Sequence, residues 1–301
     1  MRNEFCDAMV ERSGDSRFVF LTGDLGFGAL EPLQKVAGER FINAGIAEQN
    51  MVSMAAGLAE RGLEPWVYSI APFLYARPLE QIRNDVCHHG FPVKLVGNGG
   101  GYAYGVMGAT HHAIEDYGIL LTLPGLRVFI PAFEEDVRPI VQKLSVLPTP
   151  AYLRLGRDEK PKGIELRNYE PWRKILHGQK ATLLAVGPLA GGLLAAYQGL
   201  EEGKRPSLWV LTELPVMDGT VPPGFLEDLE RTGHLAVAEE HVAHGGVGEM
   251  MARVLLLAGK TPRRFTHHFA RGYLSGYYGS QSFHRKESGL APEDILKEIN
   301  R

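Results

Sequence analysis

A chain of 301 residues, 45% hydrophobic and 22% charged, is long enough to build one large or two medium cores. A formal net charge of −3 and scattered Lys and Arg exclude a general pull toward nucleic acid or a membrane surface. No apolar run reaches the roughly 18 residues of a membrane helix. The start, MRNEFCDAMVERSGD, is amphipathic and acidic as well as basic, unlike a signal peptide. Cys6 and Cys87 alone make no disulfide framework and fit the reducing cytoplasm.

RFVFLTG (17–23) reads as a buried strand ending at a glycine turn, and FINAG (41–45) as a second strand. In the following AEQNMVSMAAGLAERG, residues Ala47, Met51, Met54, Ala55 and Leu58 share one helical face. PWVYSI, a helix through Ile82 and Val86, PVKLVGN, a helix from about His112, LRVFIP, an amphipathic helix 134–146 and AYLRL (151–155) continue the alternation. Cys87, His88 and His89 are adjacent and point different ways on a helix, so no metal site is read there. Residues 157–178 are charged and Pro-containing and read as a linker. The alternation then restarts with ATLLAVG, a helix 189–202, PSLWVLTEL, a helix 223–232, LAVAEE, a helix after Gly248 and RRFTHHFA. The expected fold is α/β: two doubly wound, mostly parallel-sheet domains, 1–156 and 179–301.

Ligands of such sheets bind beyond the carboxyl ends of the strands, and three segments there carry unusual residues. In the first, Gly45-Ile46-Ala47-Glu48-Gln49-Asn50-Met51, Glu48 opens a helix amid apolar neighbours; its plain reading is a first-turn Glu favoured by the helix dipole. The second runs from Gly97 to His112 and is rich in glycine, as a backbone that approaches a ligand or turns sharply must be. It lacks a full GxGxxG opening a helix, and its His111-His112 pair also fits a structural role. The third, Tyr152 to Asp158, ends in Arg157, which suits an anion or simple solvation equally.

Taken in order, FINAGIAEQNMVSMAAGLA, YSIAPFLYARPLEQIRND, GGGYAYGVMGATHHAIED, PGLRVFIPA and LRLGRD resemble the pyrimidine-binding domain of the transketolase family, and AVAEEHVAHGGVGEMMARVLL resembles that family's C-terminal domain. The resemblance covers nearly the whole chain. It implies thiamine diphosphate as cofactor, with Glu48 as the carboxyl that hydrogen-bonds or protonates the aminopyrimidine ring, desolvated by Ile46, Ala47 and Met51. It implies an aromatic residue stacked on that ring, Phe73, or Leu74 in an ungapped match. It implies His111 as a substrate-facing His in Gly108-Ala109-Thr110-His111, and Arg157 at a phosphate-binding Arg position.

The same resemblance marks what is different. The family's N-terminal domain, which holds Mg²⁺ and diphosphate through a Gly-Asp-Gly motif and a later Asn, has no counterpart; Gly23-Asp24-Leu25 reads as a structural turn. The expectation is a separate N-terminal-type partner chain holding Mg²⁺ and the diphosphate, an active site at the interface, and most simply an α2β2 heterotetramer. The C-terminal domain is expected to add no chemistry, with Glu239-Glu240-His241 at a subunit contact. Ketol transfer between sugars is the leading activity. The β-type subunit of a 2-oxo acid decarboxylase or dehydrogenase, a 1-deoxyxylulose-phosphate synthase-like enzyme, and a non-catalytic regulatory remnant are the alternatives. An ungapped count puts Gly99 where the family has a phosphate-binding His and Met107 where it has an Asp facing a sugar hydroxyl. The substrate is therefore expected to be a modified or otherwise unusual sugar, with Tyr102 and Tyr104 supplying replacement contacts.

Overall fold

The computed structural model describes residues 1–166 and 168–301. The first sheet contains β1 (Phe18–Thr22), β2 (Phe41–Asn43), β3 (Glu64–Ile70), β4 (Lys94–Asn98), β5 (Arg127–Phe129) and β6 (Ala151–Leu155). The second contains β7 (Trp172–Leu176), β8 (Thr182–Val186), β9 (Ser207–Leu211), β11 (His234–Ala238) and β12 (Arg264–His268). A short β10 (Glu213–Leu214) follows β9 but joins the first sheet. The orders are β10-β5-β6-β4-β3-β1-β2 and β12-β11-β8-β9-β7. All neighbours are parallel except β10 against β5 and β7 against β9.

Strand residues of the first sheet alternate between two buried faces, the pattern of a parallel sheet covered on both sides. Val19, Leu21, Val67 and Leu95 face one core, packed by Met51, Val52, Ala55 and Ala56 of the helix Glu48–Glu60. Phe18, Phe20, Trp66, Tyr68 and Val96 face the other, covered by Phe5 and Met9 of the helix Arg2–Arg12 and by Ile140 and Leu144 of Val137–Ser145. A third core, under the second sheet, gathers Leu183, Ala185, Leu193, Val210 and Ile295.

Two expectations change here. The segment 157–178 contains β7, so the second sheet begins at Trp172. Its WRKIL sequence is an exposed antiparallel edge, only one residue of which is buried, and its charges disguised it. The helix expected from about His112 begins at Asp116 and is short, Asp116–Leu120, because 108–115 is committed to a turn and to a bridge between Gly101 and Ala113.

The two sheets are joined by buried polar groups. Glu239, at 0% exposure, accepts from the backbone N–H groups of Val247 (2.8 Å) and Gly248 (2.9 Å), and lies 2.6 Å from His267 Nε2. The Tyr117 hydroxyl of the first domain donates to it. Burial pushes the Glu239 carboxyl up, but the His267 hydrogen bond, the nearby His241 and the Gly248 N–H outweigh this and leave it below its ordinary value. Glu240 accepts from Tyr102 N (3.0 Å) and Arg285 Nη2 (3.0 Å), while Arg154 reaches Asp116 (2.8 Å) and the Glu240 carbonyl (2.9 Å). The His241 ring stacks on Tyr117 with centroids 3.8 Å apart. Glu239-Glu240-His241 is thus a bolt inside one chain rather than a contact between subunits.

Candidate active site

Four segments beyond the carboxyl ends of β1, β2, β3 and β4 meet at one place. Glu48 is the first residue of the helix Glu48–Glu60, and its side chain is 4% exposed. Gly23 stands beside it: a Cβ there would lie 3.4 Å from the Gly45 carbonyl and 3.8 Å from Glu48 Oε1. Among the described residues the one hydrogen bond to the Glu48 carboxyl comes from Arg77 Nη1, at 2.7 Å. The same guanidinium lies 3.8 Å above the ring of Phe73. Phe73 meets the His111 ring edge-on at 5.2 Å, and Tyr104 approaches His111 at 5.8 Å. His111 Nδ1 is held by the Thr110 hydroxyl at 2.9 Å, which leaves Nε2 as its outward atom.

Phe73 sits in the helix Ala71–Ala76, half-buried and open on a ring face, whereas Leu74 is 0% exposed inside the core. Leu74 therefore offers no surface to a ligand. Ile46 is 76% exposed and does not desolvate Glu48 within this chain. Tyr102 is a second correction: it is fully buried, and its hydroxyl is spent on the Gly272 backbone (3.1 Å) and Ser288 (3.2 Å) of the second domain. Tyr104 is half-buried, with its hydroxyl accepting from Asn98 Nδ2 at 2.8 Å. Arg157 is exposed and borders a crevice between the domains with Gly100, Pro188 and Gln281. Met107 ends a turn, Gly105–Met107, and is 54% exposed.

The glycines explain part of this. Gly99 has φ +78°, and a Cβ on it would fall 2.1 Å from the Tyr104 ring, so that ring fills the room a larger residue would use. A Cβ on Gly101, φ +63°, would fall 2.7 Å from the buried Glu240. Gly23-Asp24-Leu25 is a turn: Asp24 takes φ +55°, and Asn43 Oδ1 accepts from Asp24 N (3.0 Å) and Gly45 N (2.9 Å). Sequence reasoning missed Arg77, which carries no family signature in the quoted motifs. Its position at the C-terminal end of the Phe73 helix was the available signal. It also missed Tyr278, 57% exposed, whose ring would lie 3.0 Å from a Cβ on Gly108.

A buried carboxyl, a nearby aromatic face and a histidine at the strand ends of a doubly wound sheet define a half-site for a flat, nitrogen-bearing ring. The chain belongs to the transketolase family: the family model "Transketolase, pyrimidine binding domain" matches residues 4–162. More particularly, it is 33% identical over 264 residues to the second of the two subunits of an apulose-4-phosphate transketolase from Phocaeicola vulgatus, covering 84% of this chain and 83% of that one. It is 30% identical over 263 residues to a 6-deoxy-6-sulfo-D-fructose transketolase subunit of a Clostridium species, covering 85% and 80%. A solved "split gene transketolase, inactive beta4 tetramer" superposes with a TM-score of 0.79 at 28% identity, covering 99% of this chain and 96% of that one.

Proposed function

We propose that this chain is the C-terminal-type subunit of a split transketolase, which moves a two-carbon ketol unit between sugars with thiamine diphosphate. The observation that carries this is the buried Glu48 carboxyl beside the open face of Phe73, with His111 edge-on to that face. When bound, the cofactor supplies the carbanion-stabilising centre. The residues present fit its aminopyrimidine: Glu48 offers a carboxyl in a desolvated niche, Phe73 an aromatic surface, and the bare Gly23 the room beside them. Glu48 holds or moves a proton at its carboxyl oxygens. His111, braced at Nδ1 by Thr110, hydrogen-bonds a sugar hydroxyl or moves its proton at Nε2.

Mg²⁺ and the diphosphate fall to an N-terminal-type partner chain, and the simplest assembly is an α2β2 heterotetramer in the cytoplasm. Phe27, Ile46, Val106 and Met107, 79%, 76%, 73% and 54% exposed, all follow the carboxyl ends of β1, β2 and β4, where that partner would sit. Among the described residues no helix is long and apolar enough to cross a membrane.

The substrate reading rests on Met107 and Gly99. Replacing a carboxylate partner of a sugar hydroxyl by Met removes about 1.5–3 kcal/mol of recognition, and the Tyr104 ring closes the place where a loop His would emerge. Names of relatives, apulose 4-phosphate and 6-deoxy-6-sulfofructose transketolases, point the same way, toward branched or modified sugars. Assayed with its partner, the enzyme should turn over such a sugar with kcat/KM above about 10⁴ M⁻¹s⁻¹ and the xylulose 5-phosphate/ribose 5-phosphate pair below it. Efficient turnover of the pentose phosphates contradicts this substrate class.

A further inference from the structure

We infer that Arg77 is a positioning residue for this reaction, a latch that occupies the seat between Glu48 and Phe73 and must turn out before an aminopyrimidine ring is seated. The inference rests on the reading of Glu48 and Phe73 given above. One guanidinium does two things: it donates to Glu48 Oε1 at 2.7 Å and lies 3.8 Å over the Phe73 ring. Any flat ligand that touches both the carboxyl and that aromatic face must lie where the guanidinium now lies. The two occupants exclude one another.

The residue type suits the task. A guanidinium is planar and always charged, so it stacks and donates at once, as an ammonium cannot. It also satisfies a carboxyl that is 4% exposed and would otherwise be costly to leave unpaired in the subunit. Arg77 itself is 42% exposed at its side chain, so it has an open path outward. Its carbonyl accepts from Gln49 Nε2 at 3.4 Å, which ties its backbone to the Glu48 helix while the side chain turns. The latch lowers cofactor affinity by the fraction of molecules in which it is closed.

The test is calorimetric titration of thiamine diphosphate, with Mg²⁺, into the complex of this chain with its partner. Arg77→Met keeps the apolar stem and removes the cation; Arg77→Lys keeps the charge and removes the flat stack. Arg77→Met should tighten binding about five- to thirtyfold, with Arg77→Lys between it and the wild type. The diphosphate of hydroxyethyl-methylthiazole, which has no aminopyrimidine, should bind all three complexes alike. Unchanged or weaker cofactor binding in Arg77→Met overturns the latch, as does equal tightening for the thiazole diphosphate. A wild-type complex that binds no thiamine diphosphate overturns the underlying functional reading and the latch with it.

Discussion

Glu48 combines near-complete burial with a single hydrogen-bond partner among the described residues, and that combination suits a group that must exchange partners during a reaction. Glu48→Gln keeps the shape and removes the proton chemistry. Ketol transfer in the assembled enzyme should fall by roughly two to four orders of magnitude, with the complex still forming; near-normal turnover would remove Glu48 from the mechanism. Gly99 gives a second prediction at this scale. With φ +78° and the Tyr104 ring 2.1 Å from the position of a Cβ, Gly99→Ala should destabilise the chain by about 1 kcal/mol or more. Gly99→Ala with Tyr104→Ala should recover part of that loss, leaving the φ cost; urea unfolding of the single and double variants measures it.

At the level of elements, the first domain was legible because its strands carry near-continuous apolar runs and its helices a 3.6-residue period. FINAGIAEQNM and GATHH lay on the loops that the fold then brought together around Glu48, Phe73 and His111. What the sequence hid was decided by partners far along the chain. Tyr102 looks like a pocket residue in GGGYAYG, but its fate depends on Gly272 and Ser288, some 170 residues away. Arg77 and Glu48 are 29 residues apart, and nothing in either segment announces their pairing. Strand β7 was masked by its charges, and β10 by its continuity with β9 in PSLWVLTEL, although it crosses to the other sheet. Glu239 shows how such long-range polar contacts hold the elements. Glu239→Ala strands two backbone N–H groups and the Tyr117 hydroxyl, and should cost about 3 kcal/mol or more in chemical denaturation. A change under about 1 kcal/mol would mean that the bolt is not what joins the sheets.

The whole molecule should lose stability on acidification. Burial lowers the pKa of His234 and of His268 to about 4 from an ordinary 6.5. Both are neutral when folded, so the unfolded chain takes up protons first and stability falls as pH drops from about 6.5 toward 4. Glu239 and Glu240 are held below their ordinary 4.5, so their contribution, complete above that value, is lost as pH falls beneath it. The melting temperature should therefore decline steadily from pH 7 to 4.5, and His268→Gln should flatten the upper part of the decline; a constant melting temperature over that range contradicts these environments. Above this scale lies the division of the site between two chains. Such an interface should bury above about 2,000 Å² in total. The direct measurement is ketol transfer by this chain, by its N-terminal-type partner, and by their mixture, with thiamine diphosphate and Mg²⁺ and with particle mass followed by light scattering. The account predicts a stable 2:2 complex that is active where neither chain alone is; tight cofactor binding and turnover by this chain alone would contradict it.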